Sequence, residues 1–109
     1  MRLAMSVAAA GLLRELLRRG GVARDRILLT EFHSTDWQSL TFIGEKHRIR
    51  LRIPSPGAYD TATRLVNGIA DCEFSLPGHV VADIALAGEP EHGDDGSIAV
   101  TIEALTIES

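Results

Sequence analysis

The stretch WQSLTFIGEKHRIRLRI, residues 37–53, decides how the rest of the chain is read. Leu40 and Phe42 alternate with Ser39 and Thr41, and after Gly44-Glu45 the alternation resumes as Arg48-Ile49-Arg50-Leu51-Arg52-Ile53. Alternation with period two belongs to strands that bury one face, so the stretch reads as a β-hairpin. A two-residue loop at Gly44-Glu45 sets Phe42 opposite His47 and Leu40 opposite Ile49, which gathers the apolar side chains on one face. A three-residue loop breaks that match. The expected inner face is Leu40, Phe42, Ile49, Leu51 and Ile53, and the outer face carries Arg48, Arg50 and Arg52.

Upstream, residues 6–19 read as a helix, because Met5, Ala9, Leu12, Leu13, Leu16 and Leu17 fall on one face while Arg14, Glu15 and Arg18 take the other. Gly20-Gly21 ends it, with Arg18 and Arg19 near the negative end of the helix dipole. Ile27-Leu28-Leu29 and Phe32 form a short extended segment whose pairing partner the sequence does not assign. Downstream, Ser55-Pro56-Gly57 offers an N-cap with proline at the first helical position, and Ala58, Ala62, Leu65, Val66 and Ile69 give the buried stripe of a second helix ending at Asn67-Gly68. A strand from His79 to Ala87 turns Val80, Ala82, Ile84 and Leu86 inward. Its partner alternates through Ile98, Val100 and Ile102. The apolar phase then jumps to Leu105 and Ile107, which points to a β-bulge near Glu103-Ala104. The acidic, glycine-rich connection 88–96 is expected to be mobile.

The order helix, extended segment, hairpin occurs twice, in halves spanning about 6–53 and 58–108 at an offset of about 49 residues. The expectation is a single α+β domain over residues 1–109. Its architecture would be an αββαββ two-layer sandwich, with a four-stranded antiparallel sheet and both helices on one face. This arrangement resembles a circular permutation of the ferredoxin-like fold, an analogy that carries no function.

Composition narrows the function classes. A chain of 109 residues with 45% apolar and 24% charged residues can bury one core. The net charge of -4 and an aromatic share of 5% oppose nucleic-acid and membrane partners, which need basic surface or stacking platforms. No window approaches the roughly 18 uncharged apolar residues of a membrane span. Arg2 followed by Ala8, Ala9 and Ala10 has the look of a secretory start, but the apolar run is too short and Arg14 and Glu15 follow at once. A lone Cys72 fits a reducing compartment, so the expected location is the cytoplasm.

Three groups of residues are candidates for function. Arg48, Arg50 and Arg52 put like charges on one strand face, where they repel unless Asp83 or Glu103 faces them. The competing readings are a solvated and partly salt-bridged face, a contact surface for an acidic partner or a second copy of the chain, and a site for phosphate or nucleic acid. Beside them Val81, Asp83, Ala85 and Ala87 make an open face that is small and fairly apolar, which favours a homodimer. The run Phe32-His33-Ser34-Thr35-Asp36-Trp37 gathers an imidazole, two hydroxyls, a carboxylate and the one tryptophan in a single loop, which reads as a ligand-binding loop through His33, Asp36 and Trp37 or as the raw material of general base catalysis, although Ser34, Thr35 and Asp36 are also ordinary turn formers. Glu91-His92-Gly93-Asp94-Asp95 lacks metal-ligand spacing and reads as a hairpin tip, so no metal is expected. No cofactor is expected either, since phosphate-binding and dinucleotide fingerprints are missing from the sequence. Cys72 sits between Asp71 and Glu73, a setting that disfavours a reactive thiolate.

The favoured function is a non-enzymatic, self-associating domain that binds a partner or small ligand. The alternative is a small enzyme using His33 and Asp36 in a cleft at the hairpin edge, and the two differ in whether those side chains converge.

Overall fold

The computed structural model describes residues 5–109; Arg2 and the rest of the start lie outside the described residues. Two helices, α1 (Val7–Arg19) and α2 (Ala58–Val66), accompany five strands. These are β1 (Leu28–Gln38), β2 (Ile43–Ile53), β3 (His79–Leu86), β4 (Glu91–His92) and β5 (Ile98–Glu108). All pairings are antiparallel, in the order β1-β2-β5-β3, with β4 also on β5. The sheet therefore has five strands and not four. The extra one is β4, where Glu91 pairs with Ala99 and His92 with Ile98. The connection expected to be mobile is thus built into the sheet for part of its length.

Burial of the apolar stripes holds the layers together. Leu12, Leu13 and Leu16 of α1 and Ala58, Ala62 and Leu65 of α2 share one core with Ile49, Leu51 and Ile53 of β2 and Ile98, Val100 and Ile102 of β5. Ser6 caps α1, its Oγ accepting from the Ala9 amide at 3.1 Å. The helices satisfy each other's C-terminal carbonyls: Arg19 Nε donates to Leu65 O at 2.8 Å, and Arg64 Nε donates to Gly20 O at 3.0 Å. Carbonyls left without an intrahelical partner are thereby paired between elements. The expected N-cap Ser55 is displaced, because Gly57 occupies that place with φ +82°, a conformation open to glycine at no steric cost.

Three expectations of register fail, each for a local reason. The first hairpin turns at residues 39–42 and not at Gly44-Glu45, so Trp37 pairs with Gly44 and Phe32 with Ile49. Ser39 explains the shift: its Oγ accepts from the Phe42 amide at 3.0 Å, and its own amide donates to Phe42 O at 2.9 Å. Leu40 and Phe42 consequently lie exposed at the tip, outside the core, while Ile49, Leu51 and Ile53 do face inward. The run from His33 to Trp37 is correspondingly strand and not loop.

The second failure is the bulge expected near Glu103-Ala104. Strand β5 runs in unbroken register with β2, and Leu105 and Ile107 stand on the open face, opposite Lys46 and Gly44. The third concerns β3, where the register shifts between Val81 and Asp83, leaving Ala82 as the extra residue. The bulge reverses the phase before it. Val81 turns inward, Val80 turns out to 53% exposure, and Ala82 loses its core position, while Asp83 and Ala85 remain on the open face.

Candidate functional site

Both helices pack on one side of the sheet, and the strand pairings fix what the other side presents. Across β1, β2, β5 and β3 the rows of that open face are Trp37·Gly44·Ile107·Val80, then Thr35·Lys46·Leu105·Asp83, then His33·Arg48·Glu103·Ala85. Below them lie Glu31·Arg50·Thr101 and Leu28·Arg52·Ala99, with Glu91 of β4 beside Ala99. Strand β2 is thus a column of four cations, Lys46, Arg48, Arg50 and Arg52.

The three arginines are neutralised within the chain. Arg48 bridges two strands, donating from Nε to Glu31 at 2.9 Å and from Nη1 to Glu103 at 2.7 Å. Arg50 Nη1 reaches Glu91 at 2.7 Å, and Arg52 reaches Asp95 in the turn beyond β4. Hydrogen bonding to Arg50 holds the Glu91 carboxyl below the usual range. Asp95 is also held low, first by the Ser97 hydroxyl and amide and then by Arg52. Glu103 faces the stripe as expected, whereas Asp83 does not pair with it. Glu31, Glu91 and Asp95 escaped the sequence reading because the first becomes a neighbour only when β1 extends to Gln38, and the others only when β4 folds onto β5. These pairs are largely exposed, so each adds little stability alone; together they remove the like-charge repulsion.

What remains unpaired lies higher on the face. Among the described residues neither Lys46 nor Asp83 has an ion-pair partner. Both line a concavity of about 500 Å³ with His33, Thr35, Arg48, Ala85, Glu103 and Leu105. Its chemistry is that of a receiving surface: one free cation and one free anion stand either side of an apolar floor at Leu105.

His33 and Asp36 are brought to different places. His33 pairs with Arg48 on the open face, whereas Asp36 pairs with Glu45 on the helix side. Asp36 and Trp37 line a separate cavity of about 550 Å³ at the start of α1, with Ser6, Glu45, His79 and Glu108. Ser6 Oγ donates to Glu45 Oε1 there at 2.6 Å while still capping its helix. Among the described residues no three His, Cys, Asp or Glu side chains gather as a metal site would require. No family model matches the chain, and no curated protein matches it.

A polar cluster that the sequence reading did not single out lies between these sites. Ser34 Oγ is 2.7 Å from His47 Nδ1, and His47 Nε2 is 2.8 Å from Thr106 Oγ1. Its signal was cross-strand: Ser34 and His47 pair directly, but only in the observed register. A serine against an imidazole is also what an activated nucleophile has. Here the far nitrogen meets a threonine hydroxyl in place of a carboxylate, and the ring is 2% exposed. The arrangement satisfies buried polar groups, as the core demands.

Burial pushes the His47 imidazole below its ordinary pKa, with Glu45 opposing that shift and His79 adding to it. The unfolded chain therefore binds the proton more readily than the folded one. The stabilising contribution is complete above pH of about 6.5, the unfolded value, and is lost as pH falls through the lower folded value. Denaturation midpoints measured from pH 7.5 down to pH 5 are expected to fall, and to fall less in His47→Gln. An equal slope in both proteins would assign the pH dependence to other groups.

Cys72 has a setting the sequence could not show. Arg19 Nη1 lies 2.9 Å from its Sγ, so a guanidinium stands against the sulfur beside the two flanking acids. Arg19 thereby ties the end of α1 to the segment after α2, adding to its bond with Leu65 O. Among the described residues, no helix is long and apolar enough to cross a membrane.

Proposed function

We propose that this chain is a non-enzymatic domain that works by self-association, forming a homodimer through the open face of its sheet. The observation that carries this reading is the state of that face after the arginines are paired. Charge is balanced along Arg48, Arg50 and Arg52, while the half-buried Leu105 and Ile107 stand beside the exposed Val80 and Ala85. Apolar surface gathered in one patch gains roughly 25 cal/mol per Å² when it leaves water. The arginines do not need a partner's acids, so an acidic protein has less to offer this face than a second copy has. Joining two faces would also cover the concavity at Lys46 and Asp83.

The enzymatic alternative draws less support, because His33 and Asp36 stand on opposite faces and share no cavity. The order of elements fits a permuted ferredoxin-like arrangement, and the lone Cys72 fits the cytoplasm; neither bears on activity.

Light scattering at micromolar concentrations is expected to report about twice the 11.8 kDa chain mass, with a melting temperature that rises with protein concentration. Ala85→Arg places bulk and like charge in the middle of the face and is expected to give monomers with unchanged helix content. A wild-type monomer, or a dimer indifferent to Ala85→Arg, would sink the proposal.

A further inference from the structure

The open face carries enough charge pattern to orient the second copy. Two sheets packed face to face by a two-fold axis have that axis lying in the plane between them, and where their strands are aligned it runs either across the strands or along them. An axis across the strands lays each column on itself. It would set β2 against the partner's β2, where Lys46, the cation of that column without an ion pair among the described residues, meets no acid. An axis along the strands exchanges left for right and keeps each row. Placed over β5, it carries the cationic column over the partner's β3, where Asp83 lies.

The middle row decides the contact. Lys46, Leu105 and Asp83 pair in sequence across β2, β5 and β3, so the cation and the anion lie about 10 Å apart, on either side of β5. Both are exposed, and neither has an ion-pair partner among the described residues.

We infer that the second copy docks with its two-fold axis along the strands, so that Lys46 of each subunit pairs with the partner's Asp83 around Leu105. This deepens the homodimer reading and rests on it. The row is self-complementary: reversed, it matches itself with opposite charges facing and the apolar residues at the centre. The row above it, with Ile107 and Val80, adds apolar surface next to the pair.

The test uses the full chain and two charge reversals, Lys46→Asp and Asp83→Lys, followed by sedimentation equilibrium. Each change lies on an exposed side chain, and circular dichroism checks that the fold is kept. Either variant alone faces like against like twice and is expected to weaken its dimer by roughly tenfold or more. An equimolar mixture of the two restores opposite charges at both contacts, but only between different molecules, and is expected to form heterodimers within about threefold of the wild-type affinity. The variant carrying both changes is expected to dimerise similarly. If the single variants dimerise like wild type while Ala85→Arg does not, the orientation is overturned and the homodimer reading stands. A mixture no tighter than its components also overturns the orientation. A monomeric wild type overturns both.

Discussion

Replacing Gly44 by alanine is expected to cost about 3 kcal/mol or more of folding stability, out of proportion to the addition of one methyl group. Gly44 sits in β2 between Trp37 and Ile107, and a Cβ built on it would lie 1.9 Å from the carbonyl oxygen of Thr106. The obstacle is backbone of the neighbouring strand and not the end of a flexible side chain, so it cannot rotate away. Glycine in a strand interior ordinarily weakens it, and a place where another backbone comes this near is one of the few that require it. Relief would separate β2 from β5 at the end where His47 meets Thr106, so the hydroxyl and imidazole pairings would loosen as well. Urea denaturation of Gly44→Ala checks this, and a loss below about 1 kcal/mol would mean the strands adjust at little expense.

Leu51→Ala is expected to cost about 2–5 kcal/mol, whereas Arg50→Ala should cost only a small fraction of that. Leu51 is 0% exposed on the helix side of β2, with Leu29 and Val100 as its cross-strand neighbours. Truncation removes the transfer energy of its methyl groups and leaves a cavity among residues that belong to two layers. The adjacent Arg50 points the other way, to Glu91 and Thr101; Glu91 is exposed, and removing the guanidinium that covers Thr101 opens its hydroxyl to water. Equal losses in the two variants would contradict the strand phase.

Much of the fold was legible because its signals are local and redundant. The leucines of α1 and the alternation from Arg48 to Ile53 each fix a face by period alone, and the structure places Leu12, Leu16, Ile49, Leu51 and Ile53 as expected. What misled was alternation without burial. Leu40 and Phe42 have the pattern of a strand, yet Ser39 closes a turn through them, and a side chain that bonds its own neighbours can outweigh two apolar residues at a chain reversal. Leu105 and Ile107 misled in the opposite sense: their phase is that of a strand showing apolar residues on its outer face, which resembles a bulge when an outer face is assumed to be polar. Of the candidate site, the arginine stripe and the positions of Asp83 and Ala85 were readable. The pairing of each arginine was not, since it depends on which strands become neighbours. Nor was the Ser34–His47–Thr106 cluster, which joins residues far apart in sequence.

Arg48 fastens an edge. Strand β1 is the outer strand of the sheet, and its helix-facing side offers Phe32 but also Ser34 and Asp36, so it brings little apolar surface to the core. Part of its attachment is the guanidinium of Arg48, which grips Glu31 on one side and Glu103 on the other and so ties three adjacent strands in one line. Coulomb attraction across an exposed surface weakens as mobile ions crowd the solution, whereas burial of Leu51 or Val100 does not. Salt therefore loosens the margin of this protein before its centre: an ionic strength that leaves the helices seated can let the first hairpin breathe, and the amides of β1 are the first to meet water.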